Sequence, residues 1–264
     1  MDRKTDPGGA VVRLHQSPLY DWLLGSVGDV APVQRVCMGL NWTLAQVGDN
    51  LGFAFSPRQV PRTLSWAGTL KGQSSQTLRS WLLSWNDAEA AIGLAVLNAG
   101  INTPSGCAAR AQPLAGNVPG HLQVFAHFGP QLQGRKVVVI GHYPGLEHLW
   151  QEQPYHCLER QQQEGDLPDS AAEYLLPDAD WVFISASSIA NKTLPRLLEL
   201  SRHAQVVLMG PSLPWLQEWR QWGVNYLAGV RLLDADAALQ VVLEGGGTRL
   251  FSGAVQYALL PLAD

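Results

Sequence analysis

The chain has 264 residues, a length typical of one or two domains and sufficient to bury a sizeable core. Its apolar fraction of 46% and its charged fraction of only 15% exclude an intrinsically disordered protein. The formal net charge of −4 implies no broad cationic surface, so we expect no nucleic-acid partner.

The apolar runs of the chain are short and argue against a membrane partner. The clearest runs, residues 137–140 and 181–184, are far shorter than the roughly 20 residues of a membrane-spanning helix. Residues 1–9 lack the apolar stretch of a signal peptide, and we interpret them as a loose tail. The three cysteines are widely spaced and odd in number, which predicts neither a disulfide framework nor a paired-cysteine zinc motif. We therefore expect a cytoplasmic protein.

The first half of the chain, residues 1–132, predicts a module that mixes strands and helices. Ser17-Pro18 is typical of a helix start, because proline fits the first helical turn. Gly48-Asp49-Asn50 lies between two apolar segments and predicts a hairpin. The sequence Asn86-Asp87-Ala88-Glu89 resembles a capping box and predicts a helix that ends near Gly100. In chain order we predict a helix at 19–24, strands at 36–44 and 51–55, helices at 76–85 and 86–100, and a long loop at 103–120.

The second half, residues 133–264, alternates short apolar strands with helical patterns. Its strands lack polar alternation, which is typical of strands buried on both faces. Alternation at this spacing predicts a parallel sheet with right-handed crossovers, and therefore a Rossmann-like domain. The predicted fold class is α/β, with an α+β module preceding the Rossmann-like domain. The strands are predicted at 137–140, 155–158, 181–184, 205–209 and 224–227, and the helices at 194–201, 215–222 and 234–243.

The carboxyl ends of these strands limit the candidate ligand-binding residues to a short set. Open parallel sheets bind their ligands beside the ends of the strands. Small and polar residues follow each predicted strand, including a last strand end at 228–230. The candidates at these ends are Gly141, His142, Tyr143, Glu159, Ser185, Ser187, Asn191, Thr193, Gly210, Pro211 and Ser212.

The turn after the first of these strands bears on dinucleotide binding. The phosphate-binding fingerprint has three spaced glycines, but this turn has only Gly141 and Gly145. Pro144 also removes one backbone donor, so ordinary NAD binding has little support. Glu159 lies where an acidic residue would meet a ribose hydroxyl, so a nucleoside-bearing ligand stays open. The alternative interpretation is that Glu159 is a solvated carboxylate at the end of a strand.

Imidazole, carboxylate and thiolate groups are concentrated between residues 142 and 157. Such donors suit zinc, nickel, copper or cobalt, and the candidate metal ligands are His142, His148 and Cys157. Their spacing matches no ligand signature, and for each histidine alone a hydrogen-bonded or surface role is the simpler interpretation. His156 and Cys157 are neighbours on a strand and therefore point to opposite faces.

Three consecutive glycines, Gly245-Gly246-Gly247, follow the last predicted helix and exceed the single glycine of an ordinary helix end. Two interpretations stay open: close packing of the backbone on a neighbour, or a nest of backbone amides that binds an anion. Because of the second interpretation, Gly246 and Gly247 join the candidate ligand-binding residues.

Taken together, these segments resemble the DUF364 family, for which a role in heavy-metal chelation has been proposed. The resemblance implies a module like the N-terminal domain of enolase, then a Rossmann-like domain, with the ligand site in the cleft between them. Where the family usually has Thr-Gly-Thr after the third strand, this chain has Ser185-Ala186-Ser187. The matching segments are 141–144, 158–160, 166–169, 175–180, 187–193, 207–212, 223–224, 228–230 and 244–248, with looser matches at 47–48, 52–55, 67–70, 84–86, 91–95 and 97–99.

Three hypotheses for the function follow. The first is binding of a transition-metal ion, or of a small-molecule metal chelate, in the interdomain cleft. The second is an enzyme that acts on a small polar metabolite or chelator, with Glu159 or His142 as general base and a nucleotide or S-adenosylmethionine open as cofactor. The third is a binding or scaffold protein whose strand-end residues only shape turns. Trp215, Trp219 and Trp222 at helical spacing leave a homodimer open, although burial explains the same spacing.

Overall fold

The computed structural model describes residues 17–28, 31–60 and 63–262, so the tail predicted at residues 1–9 lies outside it. The strands are β1 (Val33–Met38), β2 (Trp42–Val47), β3 (Asn50–Phe55), β4 (Gln112–Pro113), β5 (Val137–Ile140), β6 (Tyr155–Leu158), β7 (Trp181–Ser185), β8 (Gln205–Met209), β9 (Tyr226–Leu232) and β10 (Val255–Pro261). The α-helices are α1 (Pro18–Gly25), α2 (Ser75–Arg79), α3 (Asp87–Ile101), α4 (Gln123–Phe128), α5 (Leu146–Leu149), α6 (Ala172–Leu175), α7 (Ser187–Ala190), α8 (Leu194–Leu200) and α9 (Ala235–Leu243). Short 3-10 helices cover Ser80–Leu83, Cys107–Arg110, Gly120–Leu122, Gly129–Gln131, Asp169–Ala171, Leu176–Asp178, Gln217–Trp222 and Thr248–Phe251. Among the described residues, none of the helices combines the length and the apolar character needed to cross a bilayer.

Strands β1, β2 and β3 form an antiparallel meander that packs against α3. The β2–β3 hairpin confirms the turn predicted at residues 48–50, where Gly48 has a left-handed φ of 58°. Asn86 caps α3, since its side chain accepts hydrogen bonds from the first free backbone amides of the helix. Helix and sheet approach so closely that a Cβ at Gly52 would lie 2.1 Å from the Ala95 carbonyl oxygen.

The second sheet has seven strands in the order β4-β10-β9-β8-β7-β5-β6. Strands β5 to β9 are parallel to one another, whereas β10 is antiparallel to both β9 and β4. The molecule is therefore the predicted α/β fold, with a mostly parallel sheet and a small antiparallel sheet. From β5 the chain continues to β6 on one side and later to β7 on the other. This reversal makes the β5–β7 junction the topological switch point, where open α/β sheets bind ligands.

Ser212, in the loop after β8, joins the two sheets. The Asn98 side chain in α3 donates to the carbonyl oxygens of Phe53 and Ser212, at 2.8 and 2.9 Å. The backbone amide of Phe55 donates to the Ser212 hydroxyl at 2.8 Å. Ser212 is only 2% exposed, so these hydrogen bonds are shielded from water and fix the meander against the large sheet.

The strand predicted at residues 36–44 is wrong, because the segment forms two strands joined by a turn. The turn closes with a hydrogen bond from the Gly39 amide to the Trp42 carbonyl oxygen, 3.0 Å long. It packs tightly on α9, where a Cβ at Gly39 would lie 2.2 Å from the Val242 carbonyl oxygen. The sequence pattern showed the apolar residues of this segment but not the helix on which the turn packs.

The helix predicted at residues 215–222 is also wrong, since only Gln217–Trp222 is helical and it is a 3-10 helix. Trp215 precedes it and donates its indole N–H to the Val230 carbonyl oxygen in β9, at 3.2 Å. This contact with the sheet replaces the first helical turn. Trp215 and Trp219 are buried in the core of the chain and offer no surface to a second copy, whereas Trp222 is only partly buried.

β9 extends beyond the strand predicted at residues 224–227. β9 continues to Leu232 because it pairs with β10 along its whole length, from Tyr226 opposite Pro261 to Leu232 opposite Val255. The strand end predicted at 228–230 is therefore wrong, since these residues lie inside β9.

Candidate functional site

A cleft of about 530 Å³ lies at the carboxyl edge of the parallel strands. Its opposite wall includes Trp42 and Phe55 of the meander and Arg58 of the loop that follows. Clefts of this volume are typical of small-molecule sites. The predicted ligand-binding residues that line it are Gly141, His142, Tyr143, Glu159, Ser185, Ser187, Asn191, Gly210, Pro211, Ser212 and Gly247.

Two predicted ligand-binding residues do not line this cleft. Thr193 donates its hydroxyl to Asn191 Oδ1 at 2.8 Å and so shapes the loop before α8. Gly246 packs against α9, where a Cβ would lie 2.6 Å from the Val241 Cγ1 atom. The structure therefore gives Gly246 a packing contact, whereas Thr193 lines a second pocket that adjoins the cleft.

The turn after β5 lies at the switch point and needs its glycine. Gly141 has a φ of 105°, and a Cβ there would lie 3.2 Å from the Ser185 Cβ atom in β7. Ser185 and Ser187 share a hydrogen bond of 2.9 Å between their hydroxyl oxygens. The Tyr143 phenol also bonds to Ser185, and burial raises the pKa of Tyr143 well above its usual value. This wall of the cleft therefore presents neutral hydroxyl groups.

Three potential metal-ligating side chains converge beside this turn. One donor atom from each of His142, Cys157 and Asp166 lies within 4.8 Å of the other two. His142 Nδ1 lies 3.0 Å from Asp166 Oδ2 and 3.2 Å from Oδ1. The Asp166 side chain is 4% exposed and that of His142 is 20% exposed. His142 also lines the cleft, so the cluster lies at the cleft's edge.

The charges of this cluster depend on one another. Burial, together with hydrogen bonding to Asp166 and the charges of Asp166 and Glu159, raises the pKa of the Cys157 thiol well above its usual value. Burial alone would raise the pKa of Asp166 too. Hydrogen bonds from Cys157, the Gln163 amide and His142 outweigh that effect and lower the pKa of Asp166. In the absence of a metal, the cluster therefore combines a protonated thiol with an ionised carboxylate.

Backbone pairing explains how residues so distant in sequence meet. The parallel register places Cys157 beside Val139 on the neighbouring strand β5, and His142 lies in the turn that follows β5. The loop after β6 then folds back, since the Leu167 amide donates to the Cys157 carbonyl oxygen at 2.8 Å. This pairing brings Asp166 alongside β6. Sequence reasoning missed Asp166 because no periodicity marks its loop; its only signal was a place in a segment that resembles the DUF364 family.

Glu159 holds the turn that carries His142. Its Oε2 atom accepts a hydrogen bond of 3.1 Å from the His142 backbone amide, and Oε1 accepts one of 3.0 Å from the Gln161 amide. The carboxylate thus orients His142, the first of the potential metal-ligating residues. Of the two candidate general bases, Glu159 is bonded to backbone amides and the His142 ring is bonded to Asp166.

His148 lies outside the cluster. Its side chain is 81% exposed, and Nε2 lies 3.5 Å from Glu147 Oε1. His156 is exposed on the strand whose other face carries Cys157, as the alternation of strand side chains predicts. The structure therefore brings together two of the three predicted metal ligands and adds Asp166.

Two arginines that sequence reasoning did not select also line the cleft. Arg58 Nη1 donates to Gln161 Oε1 at 3.0 Å, a contact that spans the cleft from the meander side to the β6 side. Arg160 Nε lies 3.5 Å from Asp169 Oδ2. These guanidinium groups supply positive charge beside the neutral hydroxyl wall.

The glycine run after α9 packs against the β1–β2 turn. Gly245 has a φ of 75°, and a Cβ there would lie 2.8 Å from a methyl carbon of Leu40. The Asn41 side chain donates to the Gly245 carbonyl oxygen at 2.8 Å, and the Trp42 indole donates to that of Gly247 at 3.0 Å. These contacts favour close packing over an anion-binding nest.

The sequence of the chain matches family models and a known protein. A family model, DUF364, matches residues 123–261, more than half of the chain, and a second, DUF4213, matches residues 20–101. Both models carry the description "Putative heavy-metal chelation". An uncharacterized protein of Methanocaldococcus jannaschii is 33% identical over 93 residues, which cover 34% of this chain. The match spans only 36% of that relative's length.

Two solved structures share the whole architecture. A DUF364 protein of unknown function from Desulfitobacterium hafniense is 29% identical and has a TM-score of 0.80, with 92% of this chain and 97% of the other covered. A second, from Pyrococcus horikoshii, is 20% identical and has a TM-score of 0.73, with 93% and 98% covered, and shows the same fold. The chain belongs to the DUF364 family.

Proposed function

We propose that the protein binds a transition-metal ion, alone or as a small-molecule chelate, through His142, Cys157 and Asp166 at the edge of the cleft. The observation that carries this proposal is the convergence of the three donor atoms within 4.8 Å. The family description of heavy-metal chelation points in the same direction.

The donor set narrows the metals that fit. One imidazole nitrogen, one thiolate and one carboxylate suit zinc, cobalt, nickel or copper, whereas magnesium and calcium prefer oxygen alone. In a tetrahedral zinc site, neighbouring ligand atoms lie about 3.4 Å apart. The 3.0 Å between His142 Nδ1 and Asp166 Oδ2 is close to that spacing, and all three donor atoms lie within 4.8 Å of one another. Three protein ligands leave further positions for water or for donor atoms of a chelator.

Metal binding at this cluster must displace a proton. The Cys157 thiol is protonated when no metal is bound, because its pKa is raised. A metal bound there takes the thiolate form, so binding releases a proton and strengthens as the pH rises. Glu159 positions His142 by accepting a hydrogen bond from its backbone amide.

The size of the cleft favours a ligand larger than a bare ion. A volume of about 530 Å³ falls in the range of organic-ligand sites, whereas one water occupies about 30 Å³ of liquid. The hydroxyl groups of Ser185 and Ser187 line its wall and can bond to polar groups of a chelator.

The first experiment measures metal in protein purified without chelators or an affinity tag, by inductively coupled plasma mass spectrometry. We expect near one equivalent of a single transition metal in the wild type. His142→Ala should lose it, whereas His148→Ala, which removes the exposed histidine, should retain it. Apoprotein would then be titrated with Zn²⁺ and Co²⁺. Failure of every divalent transition metal, alone and as a small-molecule chelate, to bind at micromolar concentration, or equal loss in both variants, would refute the proposal.

A further inference from the structure

A second pocket of about 420 Å³ adjoins the cleft at the ends of β5, β6 and β7. The two cavities share part of their walls, so one ligand can extend from one into the other. The shared residues are Gly141, Glu159, Arg160, Ser185, Ser187 and Asn191.

The inner wall of this second pocket is apolar. Leu158 from β6, Ala172 from α6 and Leu197 from α8 line it and are each less than 9% exposed, so water has little access to their side chains. Ser188 lies in the same wall and is 2% exposed. Within the described part of the chain, its hydroxyl oxygen has no hydrogen-bond partner. A ligand group that accepts a hydrogen bond would satisfy it.

The metal cluster lies behind the wall that the two cavities share. The Gly141 carbonyl oxygen accepts the Cys157 thiol at 3.5 Å, and Glu159 accepts the His142 amide at 3.1 Å. Gly141 and Glu159 line both cavities. A metal at the cluster is therefore close to the wall that the polar cleft and the apolar pocket share.

We infer that the protein takes its metal as the complex of an amphipathic chelator, whose donor groups occupy the cleft and whose apolar ring or chain occupies the second pocket. This inference rests on the proposed function and specifies its ligand class. A bare ion uses neither the apolar wall nor the unpartnered hydroxyl, whereas an apolar substituent gains binding free energy as it leaves water. The exposed Arg196–Glu173 ion pair and Arg160 line the rim, where a polar linker would pass.

The test compares chelates that differ only in an apolar ring. Apoprotein is titrated by calorimetry with Co²⁺ alone, with Co²⁺–iminodiacetate, and with Co²⁺ complexes of iminodiacetate that carries a phenyl ring on a one- or two-carbon linker. We expect at least one ring-bearing complex to bind at least tenfold more tightly than the parent complex.

Variants that fill the second pocket locate the ring. Ala172→Leu narrows the apolar pocket at its inner wall, and Ser170→Trp places a large side chain at an exposed position on the rim. Ser252→Trp makes the same change at an exposed serine that lines neither cavity and serves as the matched control. The two filling variants should lose the tenfold preference for the ring and keep their affinity for Co²⁺ alone. The control should keep both.

The outcomes separate this inference from the proposed function. If neither Co²⁺ nor any of its iminodiacetate complexes binds, the proposed function fails and the inference fails with it. If Co²⁺ binds normally but the ring gives no preference, or if the preference survives in both filling variants, only the amphipathic chelator is refuted. Ser170→Trp keeps the test decisive should Ala172→Leu fail to fold.

Discussion

The turn after β5 and the loop after α9 each contain a glycine with positive φ, but the two glycines have different surroundings. At the first, Gly141 lets the turn approach Ser185, and three potential metal-ligating side chains converge next to it. At the second, Gly245 lies against Leu40 and the neighbouring carbonyl groups bond to the β1–β2 turn. A glycine thus marks where the backbone comes close to a neighbour, and only the surrounding side chains show whether a ligand is involved.

Removing the Cys157 thiol should have the largest effect on metal binding. In Cys157→Ala we expect Co²⁺ affinity to fall by at least 100-fold, because the softest ligand of the cluster is lost. The thiolate-to-cobalt charge-transfer absorption of the wild type should disappear with it. Cys37→Ala removes a cysteine of the β1 strand and should change neither quantity. A charge-transfer band that persists in Cys157→Ala would show that the metal binds elsewhere.

The affinity for Co²⁺ should depend on pH, because the turn after β5 adjoins the ionisable thiol of Cys157. The pKa of Cys157 is raised, so at neutral pH each metal ion displaces one thiol proton. Co²⁺ affinity should therefore rise about tenfold per pH unit between about pH 7 and 8.5, as one proton leaves per ion. Titrations in buffers of different ionisation enthalpy would count the protons released. An affinity that is flat or falls over this range would contradict a thiolate ligand.

Gly141→Ala tests the turn itself. The substitution places a Cβ 3.2 Å from the Ser185 Cβ atom at a φ of 105°, so we expect a loss of about 2–3 kcal/mol in the free energy of unfolding. Co²⁺ affinity should fall about tenfold, because the displaced turn also carries His142. Denaturant unfolding of the apoprotein and a Co²⁺ titration measure the two effects. Unchanged affinity in a destabilised variant would separate the turn from the metal site.

Some residues of the candidate site can be placed from the sequence, and others cannot. Gly141, Ser185 and Gly210 could be placed at the cleft because strand ends in a parallel sheet share one edge, and that follows from the apolar runs alone. Asp166 could not, because it reaches Cys157 through a loop that pairs with β6 after an irregular excursion. His148 looked equivalent to His142 as a residue type, yet it lies on the exposed side of α5.

The same limit applies to the first half of the chain. The β2–β3 hairpin follows from a turn sequence that carries its own conformational signal. The turn at Gly39 carries none that distinguishes it, since glycine is needed there only because α9 packs against it. Long-range packing of this kind has no local pattern, and the Gly245 loop packs on the same turn.

Gly245→Ala should change stability and Co²⁺ affinity less than Gly141→Ala does. Its φ of 75° costs an alanine about 1 kcal/mol, and the nearest atoms belong to Leu40, a 79% exposed side chain that can move aside. Gly68→Ala, at a φ of 82° with no heavy atom within 4 Å of the new Cβ, measures the cost of backbone strain alone. The two variants should lose similar unfolding free energy, and both should keep wild-type affinity for Co²⁺. If Gly245→Ala weakened Co²⁺ binding while Gly68→Ala did not, the glycine loop would be part of the ligand site, and its packing contacts would position that site from the opposite wall of the cleft.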